Sequence, residues 1–197
     1  MNTLFPIYIK LDQVQTLLVG AGPVGLEKIQ AIISNSPDAR VKVVAEKVST
    51  EFYEFIADKP LIELSNRSFS SVDLFEKQLV ILATNNPKLN NLVRELCTKH
   101  HILLNVADKP SLCDFYLGSV VRKGNLKIGI STNGKSPTIA KRLKEFLNEL
   151  LPEEIDETLN LMSDLRNQIQ GDLKQKIEVL NAHTEQLVIK KEYDRAN

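Results

Sequence analysis

The stretch Leu17-Leu18-Val19-Gly20-Ala21-Gly22-Pro23-Val24-Gly25-Leu26-Glu27-Lys28 decides how the chain is read. An apolar run from Val14 to Val19 stops at glycine, and a helix-compatible segment starts almost at once. Gly20, Gly22 and Gly25 form G-x-G-x-x-G, and each glycine has its own physical reason. Gly20 allows a tight turn off the strand. Gly22 lacks the side chain that would keep a pyrophosphate from the backbone. Gly25 lets the following helix sit close to the sheet. Phosphates would then meet the free N–H groups around Pro23 and Val24 at the helix N-terminus. The pattern alone is weak, but the strand before it and the helix after it are the context that dinucleotide binding requires.

Working outward, the helix runs to about Ser34 with Leu26, Ile29, Ile32 and Ile33 on its apolar side, and Asn35-Ser36-Pro37-Asp38 breaks it. Val41 to Ala45 is the next strand, which completes a βαβ unit, and Ile7 to Leu11 reads as a short strand ahead of the glycine turn. Ser49 is placed to cap a helix through Ile56. Leu61 to Leu64 reads as a strand and Ser70 to Phe75 as a helical turn. Leu79 to Ala83 and Ile102 to Val106 are nearly all apolar, as strands buried on both faces should be. The helix between them carries Leu89, Leu92, Val93, Leu96 and Cys97. This alternation predicts an α/β fold, a doubly wound parallel sheet over residues 1–113, with ligands expected at the carboxyl ends of its strands.

The character changes after that. Leu117 to Val121 and Leu126 to Ile130 flank Lys123-Gly124-Asn125 as a hairpin, and Ser136-Pro137 opens a helix that stops before Pro152. Ile155, Leu159, Met162, Leu165 and Ile169 form a further helical stripe, interrupted at Gly171-Asp172 and resumed by Leu173, Ile177 and Leu180. A stripe beyond a completed core needs a partner surface. The tail from Lys190 reads as polar and frayed. The domains expected are thus 1–113, a segment 114–150, and a small all-helical region 151–197.

Twenty-five basic and 25 acidic residues cancel, so net charge makes no case for nucleic acid. Two cysteines, Cys97 and Cys113, are no disulfide framework, which points to a reducing cytoplasm. Met1 to Pro6 lacks the basic and apolar regions of a signal peptide, and no apolar run is long enough to span a bilayer. Cys97, Cys113, His100 and His101 match no zinc spacing, so no metal site is expected.

Three further features bear on chemistry. Gly129 to Ser136 matches the phosphate-binding G-x-x-x-x-G-K-S pattern, but Gly129 falls in the hairpin and no later strand offers a magnesium-binding aspartate. From Phe115 to Lys144 there is no acid, whereas Arg122, Lys123, Lys127, Lys135, Lys141, Arg142 and Lys144 all fall inside. This is either a solvated helix face or a site for a small polyanion. Asp108 follows a buried strand at the ligand edge, where a partly buried carboxylate would serve as a general base; the plainer alternative is a turn residue.

Read together, these segments resemble the precorrin-2 dehydrogenases of sirohaem synthesis. The resemblance rests on Phe5-Pro6-Ile7, Val19-Gly20-Ala21-Gly22 with Lys28, Ala83-Thr84-Asn85, Asn105-Val106-Ala107-Asp108, and Gly134-Lys135-Ser136-Pro137 with Ala140 and Leu143. It implies NAD-dependent oxidation of precorrin-2 to sirohydrochlorin, with iron or cobalt insertion added in some members. The implied architecture is a Rossmann-type NAD domain, a hairpin-and-helix dimerisation segment and a helical C-terminal domain, assembled as a homodimer with no nucleic acid or membrane partner. Asp108 maps to the catalytic aspartate, and Ala83 and Thr84 join the glycine turn at the cofactor. Asn105, Arg122, Lys135, Ser136 and Lys141 are the residues expected at the substrate, whose many carboxylates give the acid-free stretch a reason. Many relatives have alanine at Gly25, so this chain has the fuller fingerprint, and relatives often have an acid where Asn85-Asn86 stand. Glu46, about twenty residues after Gly25, would accept a ribose hydroxyl and select NAD, while neighbouring Lys47 would suit a 2′-phosphate. Two rivals remain at this point: an NAD-sensing module without chemistry, and a P-loop enzyme using a nucleoside triphosphate at Lys135.

Overall fold

The computed structural model describes residues 2, 4–169 and 173–184. Strand β1 (Thr16–Ala21) leads through the glycine turn into α1 (Pro23–Asn35), followed by β2 (Val41–Val48), α2 (Thr50–Ile56) and β3 (Ile62–Ser65). After a 3-10 turn at Ser71–Leu74 come β4 (Leu79–Leu82), α3 (Pro87–Lys99) and β5 (Leu103–Val106). A hairpin of β6 (Ser119–Lys123) and β7 (Leu126–Ile130) precedes α4 (Pro137–Leu150), α5 (Ile155–Gln168) and α6 (Leu173–Thr184).

The first five strands form one parallel sheet in the order β3-β2-β1-β4-β5. This is the Rossmann-type arrangement the alternation predicted. Side chains along β1 divide between two cores, as period-two geometry requires. Leu17 and Val19 join Val80, Leu82, Val93 and Cys97 on one face. Leu18 joins Ile29, Val43, Phe52 and Ile81 on the other, and Ala21 joins them only because the irregularity between Val19 and Ala21 breaks the alternation. Covering both faces explains why all four residues of β4 are buried and why its sequence is an uninterrupted apolar run. Ser49 caps α2 by accepting from the Phe52 amide at 3.2 Å, as its position suggested.

One expected strand is absent. Ile7 to Leu11 takes no place in a sheet, and Ile7 and Tyr8 are 59% and 70% exposed. β1 is already paired on both sides, by β2 and β4, so this segment finds no open ladder beside it. The Tyr8 hydroxyl instead accepts from the Gly129 amide at 3.2 Å.

The described residues fall in two compact units. One comprises the parallel-sheet region to Val120 together with Gly129–Lys144; the other comprises Val121–Ile128 and the described residues from Glu145 onward. Within the second, Asp156 accepts from both the amide and the side chain of Asn125 at 2.6 and 2.9 Å, and Lys123 pairs with Glu153. Helix α4 leaves Ile139, Leu143, Phe146 and Leu150, spaced four, three and four apart on one stripe, 44–63% exposed. The expected break at Gly171-Asp172 and the tail from Lys190 lie outside the described residues.

Candidate cofactor and active site

In a parallel sheet every strand ends on the same edge, and the crossovers reverse direction here between β1 and β4. The crevice outside those two carboxyl ends is where such sheets bind ligands. It is built from the glycine turn on one side and Ala83-Thr84 on the other. Gly20 has φ +105°, and a Cβ there would stand 2.3 Å from the Ala83 carbonyl oxygen, so only glycine allows β1 and β4 to approach. A Cβ on Gly25 would meet the Gly20 carbonyl at 2.2 Å, which fixes how closely α1 can begin under the turn. Gly22 differs: no atom lies within 4 Å of a Cβ placed on it. That open space faces the start of α1, where Gly22 offers no side-chain cap, Pro23 sits in the first turn, and no acid is present. The amides of Val24 and Gly25 therefore have no helical acceptor, and a bound anion would meet donors and the positive end of the helix dipole.

Across the crevice, Thr84 is held by a residue the sequence reading passed over. Its hydroxyl donates to Asn90 Oδ1 at 2.7 Å, and Asn90 Nδ2 donates back to the Thr84 carbonyl at 3.3 Å. Asn90 is a buried polar residue on α3. Asn86 caps α3 by accepting from the Lys88 and Leu89 amides, so the paired asparagines have at least one structural role.

Glu46 lies inside β2, which runs to Val48 rather than ending at Ala45. The β1–β2 register moves from Val19 opposite Val44 to Ala21 opposite Val48, so β2 bulges through Glu46 and Lys47. Asn66 Nδ2 closes the bulge by donating to the carbonyls of Ala45 and Glu46 at 2.8 and 3.0 Å. The Ser68 hydroxyl donates to Glu46 Oε1 at 2.6 Å. Between these two residues, Arg67 forms a two-pronged pair with Asp73, Nη1 to Oδ2 at 2.8 Å and Nη2 to Oδ1 at 2.6 Å. Lys42 Nζ lies 3.1 Å from the same carboxylate, and the Ser70 amide donates to it at 2.9 Å.

The Asp73 side chain is fully buried. The Arg67 guanidinium, opposed by burial and helped by the Ser70 amide and Lys42, holds its carboxyl well below the usual range. Its stabilisation is therefore complete above the unfolded-state pKa of about 4 and fades as pH falls further toward the folded value. Asp73→Asn should cost about 3 kcal/mol at neutral pH, the low end for a buried pair because Arg67 is partly solvated. Urea titrations at pH 7, 4 and 2.5 should show the gap between parent and variant narrowing only below about pH 4.

Asp108 follows β5 in a left-handed conformation, φ +57°, which aspartate tolerates better than most residues. The expectation of partial burial fails: the turn rolls Asp108 into solvent, and among the described residues its carboxylate has no hydrogen-bond partner. Cys113 braces the turn from beneath. Its sulfur accepts from the Val106 amide at 3.2 Å and lies 3.3 Å from the Val106 and Lys109 carbonyls. Burial raises the thiol pKa. Asn105 is buried and donates to the Phe115 carbonyl at 2.8 Å, which ties the chain leaving the sheet back to β5.

Gly129 belongs to β7, outside the parallel sheet, and the Ser136 hydroxyl accepts from the Ile139 amide at 3.2 Å as a helix cap. That hydroxyl is engaged where a P-loop would need it for magnesium. Lys135 and Lys141 are exposed in the same unit, whereas Arg122 is exposed in the other. The glycine turn, Ala83, Thr84, Glu46, Lys47 and Asp108 thus share one sheet edge. Among the described residues, no group of three or more histidine, cysteine or acidic side chains is placed to hold a metal, and no helix is long and apolar enough to cross a membrane.

Residues 7–119 match the family described as "Putative NAD(P)-binding". The chain belongs to that NAD(P)-binding family. Residues 123–150 also match the family described as "Sirohaem biosynthesis protein central". This family member is 37% identical over 164 residues to "Siroheme synthase" of Baumannia cicadellinicola, covering 83% of this chain and 35% of that one. It is 36% identical over 148 residues to "Siroheme synthase" of Nitrosococcus oceani, covering 75% of this chain and 31% of that one. The chain therefore spans about a third of the length of these curated relatives. The solved structure "SirC, precorrin-2 dehydrogenase" superposes with a TM-score of 0.71 at 24% identity, covering 96% of this chain and 92% of that one, a likeness of fold.

Proposed function

We propose that the chain is an NAD-dependent dehydrogenase that oxidises precorrin-2 to sirohydrochlorin. The observation that carries this reading is the open space over Gly22 at an uncapped helix start, on the sheet edge that also presents Asp108. The named relatives supply the substrate class. When bound, the nicotinamide supplies the hydride acceptor. The chain's own residues do the rest. The backbone at Gly20, Gly22, Pro23, Val24 and Gly25 receives the pyrophosphate, and Glu46, with Lys47 beside it, meets the adenosine ribose. Ala83 and Thr84 form the opposite wall, fixed by Asn90. As hydride leaves a carbon of precorrin-2, the Asp108 carboxylate takes the accompanying proton. Lys135, Ser136 and Lys141 are assigned to the substrate carboxylates, whereas Asn105, expected at the substrate, is buried against the Phe115 carbonyl and holds the β5 turn in register.

In this reading residues 1–113 are the cofactor domain, 114–150 a dimerisation segment and 151–197 a helical domain, in a cytoplasmic homodimer. The α4 stripe supports dimerisation, because four large apolar side chains on one face gain by burial against a copy of themselves. Light scattering at micromolar concentration should give twice the chain mass, and Phe146→Glu should return it to one chain. A monomeric parent would remove the dimer from the account.

Titration separates this reading from the P-loop alternative: the protein should bind NAD and ignore ATP–Mg. An NAD sensor would bind NAD yet leave precorrin-2 unchanged, whereas the dehydrogenase converts it.

A further inference from the structure

We infer that Asp73 is a positioning residue for cofactor choice: by pinning Arg67 and the Asn66–Ser68 segment it presets Glu46 for a ribose diol and withholds the Arg67 guanidinium from a 2′-phosphate. This deepens the proposed function and rests on its cofactor assignment.

The bulge in β2 carries Glu46, the carboxylate assigned to the ribose, and two hydrogen-bond donors from a single short segment hold it. Asn66 fixes the backbone of the bulge, and Ser68 fixes one carboxylate oxygen. Among the described residues the other oxygen, Oε2, has no partner, which leaves an acceptor for a ribose hydroxyl. A guanidinium sits in the same segment, between Asn66 and Ser68. Left free, it would suit a 2′-phosphate, which guanidinium binds by two parallel hydrogen bonds. Both terminal nitrogens are instead turned onto Asp73, and Nη1 also donates to the Ser68 carbonyl at 2.9 Å. The anchor is firm because Asp73 has no solvent contact and is held from β2 as well, through Lys42. Arg67 is 43% exposed, so it is within reach of solvent-borne ligands once released.

The test is calorimetric titration of the full chain with NAD and with NADP. Ser68→Ala, a change at an exposed residue, should weaken NAD three- to tenfold while leaving NADP unchanged, and Ser68→Thr should restore NAD. Asp73→Asn should lower the NAD-to-NADP affinity ratio at least tenfold by weakening NAD and strengthening NADP. Adding Arg67→Gln to Asp73→Asn should abolish the NADP gain, a result that general loosening would not produce. If Asp73→Asn fails to fold, the Ser68 pair decides. A ratio within twofold of the parent in Ser68→Ala, with NAD binding still lost in a Gly22 variant, overturns the inference and leaves the cofactor site standing. A parent that binds neither nucleotide overturns both.

Discussion

Gly22→Val should fold and lose NAD. The backbone at Gly22 has φ −87° and ψ −165°, extended geometry that a β-branched residue adopts without strain. No protein atom lies within 4 Å of the new Cβ. The structural cost is that of a poorer N-cap, about 1 kcal/mol. The functional cost is large because the space the side chain enters is the space assigned to the pyrophosphate. Affinity for NAD should fall at least a hundredfold, about 2.7 kcal/mol. Gly20→Ala should do the opposite: its methyl would collide with the Ala83 carbonyl from a left-handed backbone, so stability falls first. Thermal melts and NAD titrations on the two variants separate the roles. Equal NAD affinity in Gly22→Val and parent would place the phosphates elsewhere.

Asp108→Asn should keep the fold and NAD affinity and lose dehydrogenation by about a hundred- to ten-thousand-fold. Asparagine is the sharper replacement here because it shares aspartate's tolerance for the left-handed φ of +57°. Alanine adds backbone strain to the loss of the carboxylate and confounds the two. An amide keeps the shape and cannot take the proton. The exposure of Asp108 leaves its carboxylate open to substrate, as suits a base that is covered only when the macrocycle arrives. Turnover of Asp108→Asn within a few-fold of the parent would make Asp108 a turn residue and assign the proton to another group or to solvent.

What the sequence revealed and what it concealed divide along physical lines. The glycine turn, the Ser49 cap and the Ser136-Pro137 helix start were legible because each depends on residues within a turn of one another. The buried runs of β4 and β5 were legible because burial on both faces leaves no polar residue to mask the pattern. Ile7 to Leu11 misled because β propensity describes a side chain's fit to a sheet, not the presence of a free edge. Asn66 reaches the β2 bulge across 21 residues, so no local pattern announces it. The Asp73 pair with Arg67 is closer, six residues apart, and Ser70-x-x-Asp73 resembles a capping box. A capping box accounts for an aspartate at that position and gives no sign that it is buried. Asp108 was expected to be partly buried because its strand is; the left-handed turn after Val106 reverses that within two residues.

The central claim, oxidation of precorrin-2 by hydride transfer to NAD, is tested most directly by stoichiometry. Precorrin-2 and NAD are supplied anaerobically to the purified chain, and sirohydrochlorin and NADH absorbance are followed together. The account predicts that the two products appear at equal rates and in equal amounts, and that both vanish in Gly22→Val. Tight NAD binding with precorrin-2 left intact would contradict it.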